Sequence, residues 1–352
     1  MIQTKGYAAQ NAHDTLAPWN FERREVGPHD IQTEILYCGV CHSDLAQINN
    51  EWFPGMFPMV PGHEIVGRVV KVGDHVKGFK TGDLAGVGTL VNSCGKCSHC
   101  EEGLEQYCKE GVVATYNSVD KFGDLKPTFG GYSNTIVTKD AFAVHIPENL
   151  DLASTAPLLC AGITTYSPLK HWKIGAGHKV AVLGLGGLGH MAVKFAVALG
   201  AEVTILSTSP QKEADAKRLG AHHFVITKDA GQIEKVKRSF NFIIDTVAAD
   251  HDLNFYLSLL DIDGVHICVG VPVEGIHLNG AIGAFSLLGG RKSIVGSATG
   301  GIAETQEMLD FCAQHGIVAD IELIDIKDIH SAYDRMLKGD VKYRFVIDMA
   351  TL

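Results

Sequence analysis

The run Val180-Ala181-Val182-Leu183-Gly184-Leu185-Gly186-Gly187-Leu188-Gly189-His190 sets the expected architecture. It combines a valine-rich strand, a glycine turn of the form G-x-G-x-x-G and the start of an amphipathic helix at about His190–Leu199. Gly184 permits the tight turn, Gly186 lets the backbone approach a pyrophosphate, and Gly189 lets helix and strand pack closely. Phosphates bind at such a helix N-terminus because free N–H groups and the helix dipole favour anions. The run therefore predicts a dinucleotide site, against the alternative of a glycine turn in a sheet that binds no nucleotide.

Short apolar runs and helical patterns alternate around and after this turn. Expected strands are Lys179–Leu183, Glu202–Leu206, Phe224–Ile226, Phe242–Asp245 and Val265–Val269. Expected helices are His190–Leu199, Glu213–Leu219 and Glu304–His315, and a closing strand is expected at Arg344–Ile347. Because strands that alternate with helices need crossover connections, the pattern predicts an α/β unit with a parallel sheet.

The stretch upstream, residues 5–137, has a different pattern. Short β-type runs such as Ile31–Tyr37 and Ile65–Val72 are broken by glycine, proline and aspartate. The pairs Gly73-Asp74 and Gly82-Asp83 are typical of turns. This pattern predicts a compact β unit of barrel type ahead of the α/β unit.

The end of the second expected strand bears on which dinucleotide binds. An enzyme for NAD places an acidic residue about 20 residues past the glycines to hold the ribose 2′-hydroxyl. Thr208 lies at that distance, and its neighbours Ser207, Ser209 and Lys212 are not acidic. Hydroxyls and a lysine suit a 2′-phosphate of about −1.5 to −2 charges, so the segment favours NADP. The alternative is an ordinary polar turn.

Four cysteines, Cys94, Cys97, Cys100 and Cys108, follow the pattern C-x2-C-x2-C-x7-C. Zinc favours four thiolates in a tetrahedron, and such a closed shell is structural because it leaves no position for a substrate. An iron–sulfur cluster and four free thiols are the alternatives. The acidic residues at 101, 102 and 105 count against a nucleic-acid zinc ribbon.

Three further groups are dispersed along the chain. Cys41 lies in Cys38–Asp44, His63 lies in a Pro-Gly-His-Glu run, and Cys160 lies where the β pattern gives way to the α/β pattern. A Cys, a His and a Cys around one zinc with the fourth position open is a catalytic arrangement. Spacing alone does not establish that the three meet.

Size and charge narrow the function classes. The chain has 352 residues, which at roughly 100–200 residues per domain indicates two or three domains. A formal net charge of −10 argues against a general grip on nucleic acid or anionic lipid. The most apolar run, Val180–Ala201, contains His190 and Lys194, which disfavours a membrane span. With nine cysteines and no signal-peptide pattern, we expect a cytoplasmic protein whose cysteines bind metal.

Taken together, these motifs resemble the zinc-dependent medium-chain alcohol dehydrogenases, in the branch of the cinnamyl alcohol dehydrogenase-type, NADP-dependent aldehyde reductases. The resemblance spans essentially the whole chain. It includes Gly62-His63-Glu64-x2-Gly67-x5-Gly73-x2-Val76, Leu159–Thr164 and Lys342–Val346. It implies a GroES-like zinc catalytic domain at 1–161, a doubly wound Rossmann NADP-binding domain at 162–297 and a C-terminal return to the catalytic domain at 298–352.

The resemblance assigns the catalytic zinc to Cys41, His63 and Cys160, as in alcohol dehydrogenases. Glu64 would lie just behind the metal and ligate it transiently. Asp44 would hydrogen-bond His63 and fix its tautomer. The structural zinc falls to the four clustered cysteines, giving two zinc ions per chain.

The resemblance also implies residues for substrate and cofactor. Ser43 would be the hydroxyl next to the substrate oxygen. Related enzymes often carry a histidine three residues later, but this chain has Ala46, which leaves water or a ribose hydroxyl to complete the proton relay. Residues implied at the cofactor are His42, Thr164, Val269, Gly270, Val271 and Arg344. Residues expected to wall the substrate pocket are Trp52, Met56, Phe57 and Phe285.

The implied activity is reversible hydride transfer between NADP(H) and a primary alcohol or aldehyde, with aromatic or medium-chain aldehydes as substrates and zinc as Lewis acid. A homodimer formed through the region of Ser293–Ser297 is expected on the same basis. Two alternatives remain open. A zinc-free quinone reductase of the same fold would lack the three dispersed ligands, and a non-catalytic zinc- and nucleotide-binding regulator would bind cofactor without turnover.

Overall fold

The computed structural model describes residues 1–272 and 284–352. They form two compact units. The first unit joins Met1–Ile163 to Thr299–Leu352, and the second unit is Thr164–Ala298. In the described residues, no helix combines the length and the apolar character needed to cross a bilayer.

The strands and helices are numbered in chain order. The strands are β1 (Ile2–Ala8), β2 (Ala17–Arg23), β3 (Asp30–Val40), β4 (Ile65–Val72), β5 (Leu84–Val87), β6 (Leu90–Asn92), β7 (Val113–Ala114), β8 (Thr135–Lys139), β9 (Val144–His145), β10 (Lys179–Leu183), β11 (Glu202–Ser207), β12 (His223–Ile226), β13 (Phe240–Asp245), β14 (Leu260–Cys268), β15 (Ser293–Gly296), β16 (Ile321–Asp325) and β17 (Arg344–Asp348). The helices are α1 (His42–Ile48), α2 (Ser98–Glu101), α3 (Leu152–Thr155), α4 (Ala161–His171), α5 (Gly189–Ala198), α6 (Glu213–Arg218), α7 (Ala230–Val236), α8 (Leu253–Leu257), α9 (Ala284–Leu288), α10 (Ile302–His315) and α11 (Ile329–Leu337).

The first unit is built around a largely antiparallel sheet of order β16-β17-β3-β4-β5-β9, with β8 also paired to β3. The long strand β3 is the centre of this sheet, and its last three residues are buried. Strand β17 lies antiparallel to that end of β3, with Phe345 opposite Val40 and Ile347 opposite Cys38. Phe345 and Ile347 join the main apolar core of the unit. The C-terminal part of the chain is therefore a structural member of the first unit.

The second unit confirms the predicted alternation of strands and helices. Its six strands are parallel throughout, in the order β12-β11-β10-β13-β14-β15. Residues 180–183 of β10 are buried because β10 pairs with β11 on one side and β13 on the other. The direction of strand order changes between β10 and β13, and ligands of doubly wound sheets bind at such a point. The glycine turn leaves β10 there.

The first unit departs from the sequence pattern at two short helices, α1 and α2. The upstream region was expected to be all β, yet α1 forms directly after β3. Seven residues are too few for a helical repeat to stand out against the background. Asp44 stabilises this helix, since its carboxylate accepts the Cys41 N–H in a capping arrangement.

Candidate metal and nucleotide sites

The side chains of the four clustered cysteines converge on one point. Helix α2 begins directly after Cys97 and carries Cys100 on its first turn. The Sγ atom of Cys100 lies 3.9 Å from that of Cys94 and 3.5 Å from that of Cys97. Sulfurs around a tetrahedral zinc at about 2.3 Å stand about 3.8 Å apart. With Cys108, all four sulfurs lie within 4.8 Å of one another, so the lobe fits one zinc.

Backbone N–H groups favour the thiolate form in this lobe. The N–H of Lys109 points at the Cys97 sulfur from 3.5 Å. This bond, together with the N–H of Cys100, lowers the pKa of Cys97 to about 6. A thiolate at neutral pH is the form that binds zinc.

The dispersed groups also converge. Cys41 follows β3, His63 and Glu64 precede β4, and Cys160 precedes α4. The sulfurs of Cys41 and Cys160, 119 residues apart in sequence, lie 3.9 Å apart. One ligand atom from each of the four residues falls within 4.8 Å of the others. The sulfur separation again matches two thiolates on a tetrahedral zinc.

Asp44 fixes the orientation of His63. Its Oδ1 atom lies 3.1 Å from His63 Nδ1 and accepts the Gly62 N–H, while its Oδ2 atom accepts the Cys41 N–H at 2.9 Å. Burial opposes a charged imidazole, but the Asp44 carboxylate raises the pKa of His63 well above its usual range. With Nδ1–H committed to Asp44, Nε2 is the nitrogen left to bind metal.

Glu64 and Arg344 form a buried ion pair beside the two sulfurs. Burial raises the pKa of Glu64 to about 7 against the opposing charge of Arg344. The Glu64 Oε2 atom has no hydrogen-bond partner in the part of the chain that the structure describes. A buried, unpaired carboxylate oxygen costs free energy unless a cation is near. The Glu64 carboxylate is therefore suited to lie near a cation, and its role as a transient metal ligand stays a prediction. The predicted contact of Arg344 with the cofactor pyrophosphate stays a prediction.

The remaining predicted residues of this region lie on α1. The Ser43 Oγ atom lies 3.4 Å from the Cys41 sulfur, so the hydroxyl borders the ligand set. His42 is exposed at the start of the helix. Ala46, at the position where related enzymes often carry a histidine, is fully buried, and its side chain supplies no polar atom.

The glycine turn has the conformation that its sequence predicts. Gly184 has φ +87°, and a β carbon on Gly189 would overlap the Gly184 carbonyl oxygen. A β carbon on Gly186 would meet no atom within 4 Å, so this side of the turn is open to a ligand. The Nδ1 atom of the buried His190 ring lies 2.8 Å from the Gly187 carbonyl oxygen, and this contact stabilises the turn.

The predicted NADP segment lies against this turn. The Lys212 ammonium donates to the Leu185 carbonyl oxygen at 2.8 Å. The Ser209 N–H donates to the Ser207 hydroxyl at 3.1 Å, and Thr208 is exposed. A lysine and three hydroxyl groups thus stand at the end of β11 with no carboxylate among residues 207–212.

The nicotinamide residues predicted from the resemblance are located in the second unit. The N–H groups of Val269 and Gly270 both donate to the Asp245 carbonyl oxygen at 3.0 Å, and Val271 is half exposed. Thr164 is partly buried on α4. Their contacts with a cofactor stay predictions.

The predicted pocket residues differ in exposure. Trp52, Met56 and Phe57 are partly buried in the first unit, and the Trp52 Nε1 atom is buried without a partner in the described residues. Phe285, on α9 of the second unit, is 86% exposed. A role for these four in a substrate pocket stays a prediction.

A third cluster, which sequence reasoning missed, joins Asp245, His251 and His266. The Asp245 Oδ2 atom lies 2.7 Å from His251 Nε2 and 3.0 Å from His266 Nε2. Donors around a zinc at about 2.0–2.1 Å stand about 3.3 Å apart, so these shorter distances fit direct hydrogen bonds. Burial raises the pKa of Asp245, but the two histidines lower it to about 2. The sequence signal that could have indicated this cluster is Asp245 itself, an aspartate at the carboxyl end of the buried strand β13.

Comparison with known proteins gives matches along the whole chain. Residues 27–148 match the model of the alcohol dehydrogenase GroES-like domain, and residues 187–314 match that of the zinc-binding dehydrogenases. An aldehyde reductase of Escherichia coli (strain K12) is 51% identical over 100% of this chain and 99% of its own length. The solved structure of a cinnamyl alcohol dehydrogenase from Sorghum bicolor has a TM-score of 0.95 and 43% identity, covering 99% of this chain and 98% of that one. The CAD of Helicobacter pylori, complexed with NADP(H), has a TM-score of 0.93 and 45% identity, covering 99% of both chains.

Proposed function

We propose that this chain, which belongs to the family of zinc-dependent alcohol dehydrogenases, is an NADP-dependent oxidoreductase that interconverts primary alcohols and aldehydes. Its preferred substrates are aromatic or medium-chain aldehydes. The observation that carries the proposal is the convergence of Cys41, His63 and Cys160, with Asp44 behind the histidine. Three ligands of this kind leave one zinc position open for a substrate oxygen.

The two thiolates and His63 Nε2 would hold the catalytic zinc, and Glu64 lies within reach as a further ligand. When bound there, zinc supplies a Lewis acid that polarises the substrate oxygen. Asp44 holds the imidazole tautomer, and Arg344 holds the Glu64 carboxylate in its buried position. The second zinc would be held by the four cysteines of the lobe, where it would have a structural role.

Ser43 would move the proton. Its hydroxyl stands beside the ligand set, where it accepts a proton from an alcohol or donates one to a nascent alkoxide oxygen. Since Ala46 offers no acceptor, the Ser43 proton would pass to water or to a ribose hydroxyl of the cofactor.

The cofactor would bind through the glycine turn, with its pyrophosphate at the N-terminus of α5. Ser207, Thr208, Ser209 and Lys212 would receive the 2′-phosphate. NADPH supplies the hydride in the reducing direction. The residues proposed around the nicotinamide and pyrophosphate are His42, Thr164, Val269, Gly270, Val271 and Arg344. Those proposed for the substrate pocket are Trp52, Met56, Phe57 and Phe285.

A cytoplasmic homodimer is part of the same proposal. Strand β15 is the last strand of the sheet of the second unit and pairs on one side only, with β14, in the described residues. An unpaired edge of this kind is suited to pairing with a second copy. Sheet extension across β15 would join the two protomers.

The test is NADPH oxidation with a panel of aliphatic and aromatic aldehydes, run in parallel with NADH and with metal analysis. We expect two zinc ions per chain, turnover of aldehydes and a clear preference for NADPH. A matched variant, Lys212→Ala, should lose that preference without losing zinc. Cofactor binding with no turnover on any carbonyl compound would favour a regulator instead. Equal use of NADH would refute the assignment of the segment 207–212.

A further inference from the structure

Two buried tyrosines stand behind the Asp44–His63 pair. Tyr132 has none of its surface exposed, and its hydroxyl donates to the Asp44 Oδ2 atom at 3.1 Å. Tyr333, on α11, is 5% exposed, and its hydroxyl lies 3.5 Å from that of Tyr132. A row of polar groups thus runs from α11 through Tyr132 and Asp44 to His63.

The backbone leaves Tyr132 little freedom to move. Its N–H donates to the Pro61 carbonyl oxygen at 2.9 Å, and the Gly131 N–H donates to the Gly62 carbonyl oxygen at 2.8 Å. Gly62 has φ +101°, and a β carbon there would lie 2.7 Å from the Tyr132 ring. The segment that carries Tyr132 is therefore locked to the segment that presents His63.

The hydroxyl of Tyr132 can serve Asp44 only as a donor. A tyrosine hydroxyl has a single proton, and Asp44 when ionised accepts only. Burial, together with the Asp44 charge, raises the pKa of Tyr132 well above its usual range, so the hydroxyl keeps its proton. A hydroxyl that also accepts from Tyr333 is turned with its proton toward the carboxylate.

Asp44 needs such donors because it is a fully buried carboxylate. Its Oδ1 atom faces the Gly62 N–H and His63, and its Oδ2 atom faces the Cys41 N–H and Tyr132. Without the Tyr132 hydroxyl the carboxylate loses one of the donors that hold its Oδ2 atom, so its Oδ1 atom is held less firmly against the His63 imidazole. The hydroxyl touches neither metal ligand nor substrate in this arrangement, so its effect is indirect.

We propose that Tyr132 is a positioning residue for the catalytic zinc, acting through Asp44 on His63, and that Tyr333 orients its hydroxyl. This inference rests on the proposed function for the identity of the metal. It gives α11 a share in the metal site, since Tyr333 belongs to the part of the first unit that follows Thr299.

The test compares zinc affinity at the catalytic site of the full-length protein, by chelator competition, in the wild type, Tyr132→Phe and Tyr333→Phe. Loss of a partner of this kind typically costs 10–100-fold in metal affinity. We expect about a tenfold loss for Tyr132→Phe and about a threefold loss for Tyr333→Phe, whose contact is longer. In the cobalt-substituted protein, Tyr132→Phe should shift the visible absorption spectrum. In the zinc protein, Tyr132→Phe should lower kcat by a larger factor than it changes KM.

Two controls separate positioning from general damage. Zinc in the four-cysteine lobe should be retained equally in all variants. Tyr166→Phe removes another buried tyrosine hydroxyl, in the second unit, and should leave both zinc affinities unchanged. If Tyr132→Phe fails to fold, Tyr333→Phe decides the question.

Wild-type zinc affinity and an unaltered cobalt spectrum in Tyr132→Phe would overturn the proposal, as would wild-type affinity in Tyr333→Phe when Tyr132→Phe is unfolded. The failure of the proposed function has a different signature. A wild-type protein that binds zinc but reduces no aldehyde refutes the oxidoreductase assignment, while the zinc affinities of the variants still test the positioning role.

Discussion

Gly39 lies in β3 at a place where only a hydrogen fits. A β carbon there would overlap the Oε2 atom of Glu64 and lie 2.9 Å from the Glu64 β carbon. Glu64 cannot retreat easily, because it is fully buried and its other oxygen is paired with Arg344. The variant Gly39→Ala must therefore push the carboxylate off its partner.

The magnitude follows from two effects. Inserting a methyl group into a packed core costs about 1–3 kcal/mol, and breaking a buried ion pair costs about 3–5 kcal/mol when it is complete. We expect a partial displacement to cost about 3 kcal/mol in the free energy of unfolding of the first unit. For a unit of this size, that lowers Tm by about 6–12 °C.

The assay is thermal unfolding of Gly39→Ala beside Gly78→Ala, whose β carbon would meet no atom within 4 Å. The control variant should change stability by less than about 1 kcal/mol. In a Glu64→Ala background, the cost of Gly39→Ala should fall clearly, because the overlapping Oε2 atom is gone and only the β carbon at 2.9 Å remains in close contact. Equal Tm values for the two glycine variants, or an undiminished cost in the Glu64→Ala background, would refute the reasoning.

Three other predictions concern ligands, protons and pH. Cys160→Ala should lose one of the two zinc ions and should no longer turn over aldehydes, while NADPH should still bind and quench the protein fluorescence. Persistent turnover would exclude a ligand role for Cys160. Ala46→His should change the pH profile of alcohol oxidation, and an identical profile would place the proton path elsewhere. Ionised Asp245, with a folded pKa of about 2 against 3.8, stabilises the second unit above pH 4 by on the order of 2 kcal/mol, which is lost between about pH 4 and 2. The hydrogen bond to Asp245 also raises the pKa of His251. The part of the unfolding free energy that comes from charged His251 is therefore fully present below about pH 6.5 and is lost as the pH rises above that value. The Tm of His251→Gln should depend less on pH over this range than the Tm of the wild type. The same pH dependence of Tm in both proteins would contradict this prediction.

Local patterns predicted what local physics controls. The glycine turn and the alternation of strands and helices were predicted because turn conformation and the apolar pattern of β10 and α5 are set by consecutive residues. The cysteine lobe was predictable for the same reason, since all its sulfurs lie on one short segment. Helix α1 escaped prediction because it is short and depends on a single capping carboxylate.

Contacts between distant segments were not predictable from spacing. The approach of Cys41 to Cys160 depends on the sheet that lies between them in sequence; the residue types suggested it as one possibility, and only the resemblance assigned it. The pairing of Glu64 with Arg344 spans 280 residues and depends on β17 lying beside β3. The Asp245 cluster likewise depends on the register of β13 against β14.

The place of β17 in the first sheet has a consequence for biosynthesis. A nascent chain that has left the ribosome as far as Ala298 contains the complete second unit, yet its first unit lacks the strand that pairs with residues 37–40 of β3. Until β17 has left the ribosome, that edge is bare and open to association with other chains. The late-made segment also brings Arg344, so a product that ends at Ala298 would keep the six cysteines of the two metal sites but leave Glu64 without its counter-charge.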